Sequence, residues 1–188
     1  MRKIIMPTVM ILIATLLIAV FPTEAEGAIY EDTVRLHILA NSDRQEDQSL
    51  KLMLRDKILS KYGKELSLFE SVEDAENELS QKLDEIREFS DKTLSELGYN
   101  FKTEVSLERE WYDTRDYEDF TLPCGYYTSL KIVIGEGEGQ NWWCVMFPPL
   151  CLDASTASPK YTAEEEILIS KKYKVKFKIL ELVSEIAR

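Results

Sequence analysis

One group of residues in this chain has the types needed for cysteine-hydrolase chemistry. His37 is the only histidine, Asn41 follows it by four positions, and Cys144 lies in the run GEGQNWWCVMFPPLC, residues 137–151. A thiolate paired with an imidazole that an amide orients is a known hydrolase arrangement. However, the residues around Cys144 predict a strand, and not a helix N-terminus, where thiol pKa values are commonly lowered. An extracytoplasmic cysteine hydrolase using Cys144 and His37 is therefore the alternative function, and we expect no enzyme.

The glycines at positions 135, 137 and 139 form a second candidate, a phosphate-binding loop. The loop lies between two predicted strands, so no helix N-terminus directs its amides at an anion. No Lys-Ser/Thr pair follows it, as a P-loop requires, and Glu136 and Glu138 would repel phosphate. We interpret the loop as a hairpin turn between strands Ser129–Ile134 and Asn141–Phe147.

The three cysteines, Cys124, Cys144 and Cys151, are disulfide candidates. A hairpin centred between residues 137 and 138 would bring Cys124 opposite Cys151, just past the strand ends. A Cys144–Cys151 bridge instead requires the chain to reverse at Pro148-Pro149. We predict a bridge that includes Cys151 and leave its partner open. With one histidine and no Asp-rich calcium loop, we expect neither a metal nor a cofactor.

Trp142 and Trp143 are the strongest candidates for a recognition surface. Adjacent residues of a strand point to opposite faces, so one ring can enter the core while the other lies on the outer face. Large aromatic side chains next to the rigid Pro148-Pro149 turn are typical of protein recognition. The alternative, in which both rings are covered within the domain, stays open.

The N-terminal residues 1–28 have the order of a secretory signal. Arg2 and Lys3 precede an apolar run from Val9 to about Phe21, and small residues follow it. This segment is a signal peptide or a membrane anchor, which places the domain outside the cytoplasm, where disulfides can form. The net charge of −11 repels phosphate backbones, so we expect no nucleic-acid partner.

Residues 29–153 are predicted to form a single α+β domain. Its small, mostly antiparallel sheet of about four strands packs against two or three helices. Strands are predicted at Val34–Leu39 and Phe101–Glu108, besides the two that flank the glycines. An acidic, tyrosine-rich loop is expected from Glu108 to Phe120.

Capping patterns mark the predicted helix starts. Asp43 with Glu46 begins the first helix, which Gly63 ends, and Ser71 with Asp74 begins the second, which Gly98 ends. The apolar stripe of the first helix consists of Leu50, Leu54, Ile58 and Tyr62.

Residues 154–188 are predicted to be a linker and an amphipathic C-terminal element, which we interpret as a helix although part of it alternates like a strand. Its lysines could contact a membrane surface peripherally, but solubilising charge on a packed element is the favoured interpretation. These lysines are Lys171, Lys172, Lys174, Lys176 and Lys178.

Two motifs resemble the stage II sporulation protein R family. The first is LHILANSD at residues 36–43, followed by Asp47, Gln48, Leu52, Arg55 and Asp56. The second runs from Leu122-Pro123 and Gly125-Tyr126-Tyr127 through VIGEG at residues 133–137 to GQNWWCVMFPPLC. Together they cover the chain from Val34 to Asp153. Cys124 stands where we expect alanine in this family, so a Cys124–Cys151 bridge would not be a family-wide feature.

This resemblance implies a signalling role. Such proteins are made in the forespore and exported into the space between forespore and mother cell. There they activate a membrane-embedded aspartic protease of the mother cell, which processes the pro-form of the early mother-cell sigma factor. On this interpretation the partner-binding residues are Trp142, Trp143, Pro148, Pro149, His37, Asn41, Asp43, Gln140 and Asn141.

Overall fold

The computed structural model describes residues 6–11, 14, 29–117 and 121–149. Of the predicted signal segment only residues 6–11 and 14 are described, and they are helical and exposed. Within the described residues, no helix has the length and apolar character needed to cross a membrane. Cys151, the linker and the C-terminal element with its lysines lie outside the described residues.

Residues 29–31 are helical, and the described chain from Val34 onward contains six strands and four α-helices. The strands are β1 Val34–Leu39, β2 Thr103–Tyr112, β3 Arg115–Asp116, β4 Thr121–Leu122, β5 Gly125–Ile134 and β6 Asn141–Phe147. The helices are α1 Gln45–Ile58, α2 Lys64–Leu66, α3 Val72–Gln81 and α4 Leu83–Glu96. A π-helical turn, Leu59–Gly63, joins α1 to α2.

The described residues form two compact units, and the larger contains residues 29–110 and 126–149. Its sheet has four strands in the order β2-β5-β1-β6. β1 is parallel to β5 and antiparallel to β6. β2 runs antiparallel to β5, because Gly135 N donates to Lys102 O at one end and Arg109 Nη2 to Tyr126 O at the other. The predicted α+β class with a small, mostly antiparallel sheet is confirmed.

The predicted hairpin between β5 and β6 is wrong. β1 lies between these two strands and pairs with both, so the glycine loop is a crossover over the end of β1. The opposition of Cys124 and Cys151 that depended on hairpin register is lost with it. Local sequence could not reveal this, because β1 comes about 100 residues before β6 in the chain.

The helices cover one face of the sheet. The predicted stripe of α1 is confirmed, since Leu50, Leu54, Ile58 and Tyr62 are all buried. From the sheet, alternate residues of β1 and β6 enter the same core, as the two-residue period of strands requires. These sheet residues are Val34, Leu36, Ile38, Cys144 and Met146.

Two predicted helix boundaries are correct and two are wrong. Ser71 Oγ accepts the Asp74 N–H and caps α3, as predicted. Gly98, at φ 89°, ends α4, although a break at Lys82 divides the predicted second helix into α3 and α4. The first helix begins after Arg44, without the predicted Asp43 capping box, and continues through Gly63, whose backbone is helical.

The predicted acidic loop at residues 108–120 is partly a strand, since β2 continues to Tyr112. Of the described residues, the smaller compact unit contains 6–11, 14, 111–117 and 121–125. In it, β3 and β4 pair in antiparallel fashion, and Thr121 Oγ1 donates to Asp116 Oδ1 over 2.8 Å.

Candidate functional site

The glycine loop wraps over the end of β1 and joins the two motifs into one structure. Its six consecutive backbone amides, Gly135 to Gln140, all donate hydrogen bonds within the protein. Glu136 N donates to Asn41 Oδ1 over 3.1 Å, and Glu138 N donates to the Asn41 carbonyl over 3.2 Å. The other four acceptors are Lys102 O, Ile134 O, Ala40 O and Asp43 Oδ1. Because each amide already has an acceptor, the loop presents no anion cradle of the P-loop kind.

Close approach to β1 requires glycine at two positions of this loop. A Cβ on Gly135 would lie 2.2 Å from Asn41 Oδ1, and the residue has φ +59°. A Cβ on Gly139 would lie 2.4 Å from the Ser42 carbonyl oxygen, a backbone atom that cannot turn aside as a side chain can. The two glycines therefore permit the crossover to lie directly against the Asn41 side chain and the Ser42 backbone.

A buried carboxylate, Asp47, holds the β1 side of this junction. Its Oδ2 accepts from Asn41 Nδ2 at 2.9 Å, from Ser42 Oγ at 2.5 Å and from Arg44 Nη2 at 3.3 Å. The Ser42 hydrogen bond, with those from Asn41 and Arg44, outweighs burial and lowers the pKa of Asp47 below its ordinary 3.8. Asp47 is therefore ionised at neutral pH and orders the Asn41-Ser42 turn.

Lys51 anchors the end of the loop from one turn further along α1. Its buried ammonium group donates to the Gln140 carbonyl and to Gln48 Oε1, each over 2.7 Å. Burial lowers the pKa of Lys51, and the nearby Asp43 carboxylate opposes this shift. α1 therefore contacts the segment immediately before Asn141 and the tryptophans.

A polar network occupies the outer face of the sheet, opposite the helices. His37 Nδ1 lies 2.9 Å from Glu110 Oε2, and His37 Nε2 lies 2.9 Å from Asn141 Oδ1. The imidazole therefore links β2 to β6 across β1. Lys131 Nζ bonds Glu110 at 3.0 Å and Glu108 at 2.8 Å.

Glu110 is the most strongly perturbed carboxylate of this face. Burial raises its pKa, but hydrogen bonds from His37 and Lys131 and the attraction of their charges prevail, lowering the pKa from 4.5 to about 2. Sequence reasoning missed Glu110, which it assigned to a surface loop. Extending the two-residue alternation of Glu104 and Glu108 to position 110 would have placed it on the outer face of β2.

The structure shows which tryptophan faces outward. Trp143 is opposite His37 in the β1–β6 register, and the two rings are 5.5 Å apart and tilted by 33°. Trp142 is opposite Ile38 and packs against the core cluster, with the Arg55 guanidinium 4.9 Å from its ring centroid. Both tryptophans are half-buried. Because Trp142 packs against the core, Trp143 supplies the aromatic surface of the outer face.

Cys144 and His37 do not form a catalytic pair. Cys144 is opposite Leu36 and enters the core, whereas the adjacent His37 points to the other face of the sheet. In addition, Cys144 is disulfide-bonded, so its sulfur is no thiolate nucleophile. Cys124 is a buried thiol outside that disulfide, which contradicts a Cys124–Cys151 bridge.

The remaining predicted contact residues differ in their exposure. Asp43, Gln140 and Asn141 are exposed, and Asn41 is half-buried under the loop. Pro148 and Pro149 are both buried, so they form no exposed contact surface. No group of three or more His, Cys, Asp or Glu side chains that could hold a metal ion occurs among the described residues.

The sequence comparisons agree with the two motifs. The family model for stage II sporulation protein R (spore_II_R) matches residues 30–157. Stage II sporulation protein R of Bacillus subtilis (strain 168) is 35% identical over 139 residues, which cover 73% of this chain. The chain spans 62% of that relative's length, which is less than two thirds. No solved structure matches the chain. The family match includes the whole β1–loop–β6 junction, and the chain therefore belongs to the stage II sporulation protein R family.

Proposed function

We propose that this sporulation protein is a secreted signal that activates a membrane-embedded aspartic protease. The protease then processes the pro-form of the early mother-cell sigma factor. Family membership supports a role in sporulation, and the family resemblance suggests this receptor and this reaction. The proposal places the protein in the space between forespore and mother cell, delivered there, or anchored there, by its N-terminal segment.

The observation that carries the proposal is the outer face around Trp143. Here a half-buried aromatic ring lies over His37, with the exposed Asn141 beside it and the Lys131–Glu108 ion pair on the neighbouring strands. An aromatic centre with polar groups around it has the composition of a protein-contact surface. Its groups already bond to one another, so binding would order few side chains anew.

The mechanism follows from differential binding. A ligand shifts a receptor toward an active state only if it binds that state more tightly than the inactive one. We assign this preference to contacts made by Trp143, Asn141 and the exposed loop residues Gln140 and Asp43. Pro148 and Pro149 are excluded from the contact set because they are buried.

The cysteine-hydrolase alternative lacks support from the geometry. Its two residues lie on opposite faces of the sheet, and one of them is in a disulfide. The alternative predicts that Cys144→Ser abolishes activity and that a thiol-directed probe labels Cys144. The signalling proposal predicts that folded Cys144→Ser protein still stimulates the protease.

Reconstitution tests the proposal. The purified protein is added to the extracytoplasmic side of proteoliposomes that contain the protease and its pro-sigma-factor substrate, and cleavage is followed over time. Wild-type protein is expected to accelerate cleavage. Trp143→Ala is expected to raise the half-maximal concentration about 30-fold, since an interface tryptophan is commonly worth about 2 kcal/mol.

Trp142→Ala is the matched control because it removes the neighbouring indole from the core side. It is expected to lower the melting temperature, since Trp142 packs against the core and Arg55. At temperatures where it remains folded, its half-maximal concentration should stay near wild type. Unchanged stimulation by folded Trp143→Ala protein would contradict the assigned contact surface, and an inert wild type would contradict the function itself.

A further inference from the structure

Asp47 has a more demanding position than helix initiation requires. The residue is 2% exposed, and its Oδ2 receives three hydrogen bonds from Asn41, Ser42 and Arg44. Oδ1 is buried with no hydrogen-bond partner among the described residues. Burying a carboxylate costs free energy, and an exposed acid would serve the helix N-terminus equally well. The burial therefore suggests a role in holding its neighbours.

The chemistry of the Asn41 side chain shows what that role is. An ionised carboxylate only accepts hydrogen bonds, so the Asn41 NH₂ group must face Asp47. This orientation leaves Asn41 Oδ1 facing the loop, where it accepts from Glu136 N over 3.1 Å. In the reversed orientation, the Asn41 NH₂ group would face the Glu136 N–H, and two donors would oppose each other. Asp47 thus selects the one Asn41 orientation that can bind the crossover loop.

The loop then passes this constraint to the outer face. Its later amides are held by Ala40 O and Asp43 Oδ1, and Lys51 holds the Gln140 carbonyl. Oδ1 of the next residue, Asn141, lies 2.9 Å from His37 Nε2, and the His37 ring in turn contacts the Trp143 ring. The chain from Asp47 to Trp143 consists of contiguous hydrogen bonds, one short segment of backbone and one ring contact.

We propose that Asp47 is a positioning residue for partner engagement, which acts by orienting Asn41 so that the glycine loop holds Asn141 and Trp143 in place on the outer face. This inference rests on the proposed function. Asp47 itself is buried and touches no partner; it determines how often the contact surface is in its binding-competent arrangement. A surface that is competent for only part of the time binds with proportionally lower affinity.

The test compares Asp47→Asn with Glu46→Gln in the full-length protein. Glu46 is exposed in the same helical turn, so its replacement removes the same charge without touching Asn41. Amide hydrogen exchange is measured at Glu136, Glu138 and, as a reference, within β1. Asp47→Asn is expected to accelerate exchange at the two loop amides about 10-fold or more, while β1 amides keep their protection, because the loop opens locally. Glu46→Gln should leave both sets unchanged.

The second readout is the reconstituted cleavage assay. Asp47→Asn is expected to raise the half-maximal concentration about 10-fold while the maximal stimulated rate is retained at saturation, since competent molecules still form. Asn41→Ala removes the same link and leaves Asp47 its Ser42 and Arg44 donors, so it provides the test if Asp47→Asn does not fold. In the Asn41→Ala background, Asp47→Asn should have no further effect on the half-maximal concentration.

Each remaining outcome is decisive. If Asp47→Asn and Asn41→Ala both showed wild-type exchange rates at the loop amides, the role of Asp47 in holding the loop would be overturned. An open loop with a wild-type half-maximal concentration, in an assay that does respond to Trp143→Ala, would overturn the link to partner engagement. If wild-type protein does not stimulate cleavage at all, the proposed function fails and the partner role of Asp47 fails with it. The exchange rates would then still report whether Asp47 holds the loop.

Discussion

Glu110→Gln is expected to remove a pH-dependent part of the folding stability. Glu110 is 17% exposed at its side chain and bonds both His37 and Lys131. Those partners outweigh the opposing effect of burial and lower the pKa of Glu110 from 4.5 to about 2. Because the pKa is lower in the folded chain, ionised Glu110 stabilises folding above pH 4.5. That contribution is lost as the pH falls towards 2.

The size of the effect follows from the two pKa values. Each tenfold change in proton affinity corresponds to about 1.4 kcal/mol, so the drop from 4.5 to about 2 is worth about 3 kcal/mol well above pH 4.5. At pH 3, midway in the titration, about half of this contribution remains. The expected loss between pH 5 and pH 3 is therefore about 2 kcal/mol.

Urea unfolding at pH 5 and pH 3 measures this loss. The free energy of unfolding of wild type minus that of Glu110→Gln should decrease by about 2 kcal/mol between the two pH values, with unchanged m-values. Glu104→Gln removes the same charge from an exposed position on β2. Its free energy of unfolding should change between the two pH values by the same amount as that of wild type. A wild-type-minus-Glu110→Gln difference that is equal at pH 5 and pH 3 would refute the reasoning.

Three further predictions concern stability. Gly139→Ala should destabilise the chain by about 2 kcal/mol in urea unfolding, because its Cβ would lie 2.4 Å from Ser42 O; a neutral effect would show that the crossover can move away. Ser71→Ala should cost about 1 kcal/mol through loss of the α3 cap, and an unchanged midpoint would contradict that hydrogen bond's value. Reductant should lower the melting temperature of wild type and of Cys124→Ser but not of Cys144→Ser, since only Cys144 of these two is in the disulfide; insensitivity of wild type would argue against a stabilising bridge.

Structural features that depend on residues close together in the sequence could be predicted well. The bounds of β1 and β6, the buried stripe of α1 and the Ser71 cap all match the structure. The Asp43 cap failed for a tertiary reason, because Asp43 Oδ1 accepts the Gln140 amide from the loop. Gly63 failed as a stop signal because a π-helical turn continues from α1 into α2. Leu59 within this turn and Leu66 in α2 are both buried.

The candidate site was found in part. The two motifs supplied Asn41, Asp43 and the tryptophans, but Glu110 and Lys131 lie outside the partner-contact set predicted from them. Their role appears only when β2 and β5 are placed beside β1. Pro148 and Pro149 were predicted to be partner contacts because a rigid turn beside large aromatic side chains suits protein recognition, but both are buried.

The sequence by itself determined the family, the fold class and the fact that Trp142 and Trp143 lie on opposite faces of a strand. These depend on motifs and on alternation between adjacent residues, which are local properties. Only the tertiary structure decided that β1 separates β5 from β6, that Trp143 is the outward ring and that Cys144 is on the opposite face from His37. Each of these depends on strand register between distant segments: His37 meets Glu110 across 73 residues and Asn141 across 104. Local periodicity contains no information about such pairings.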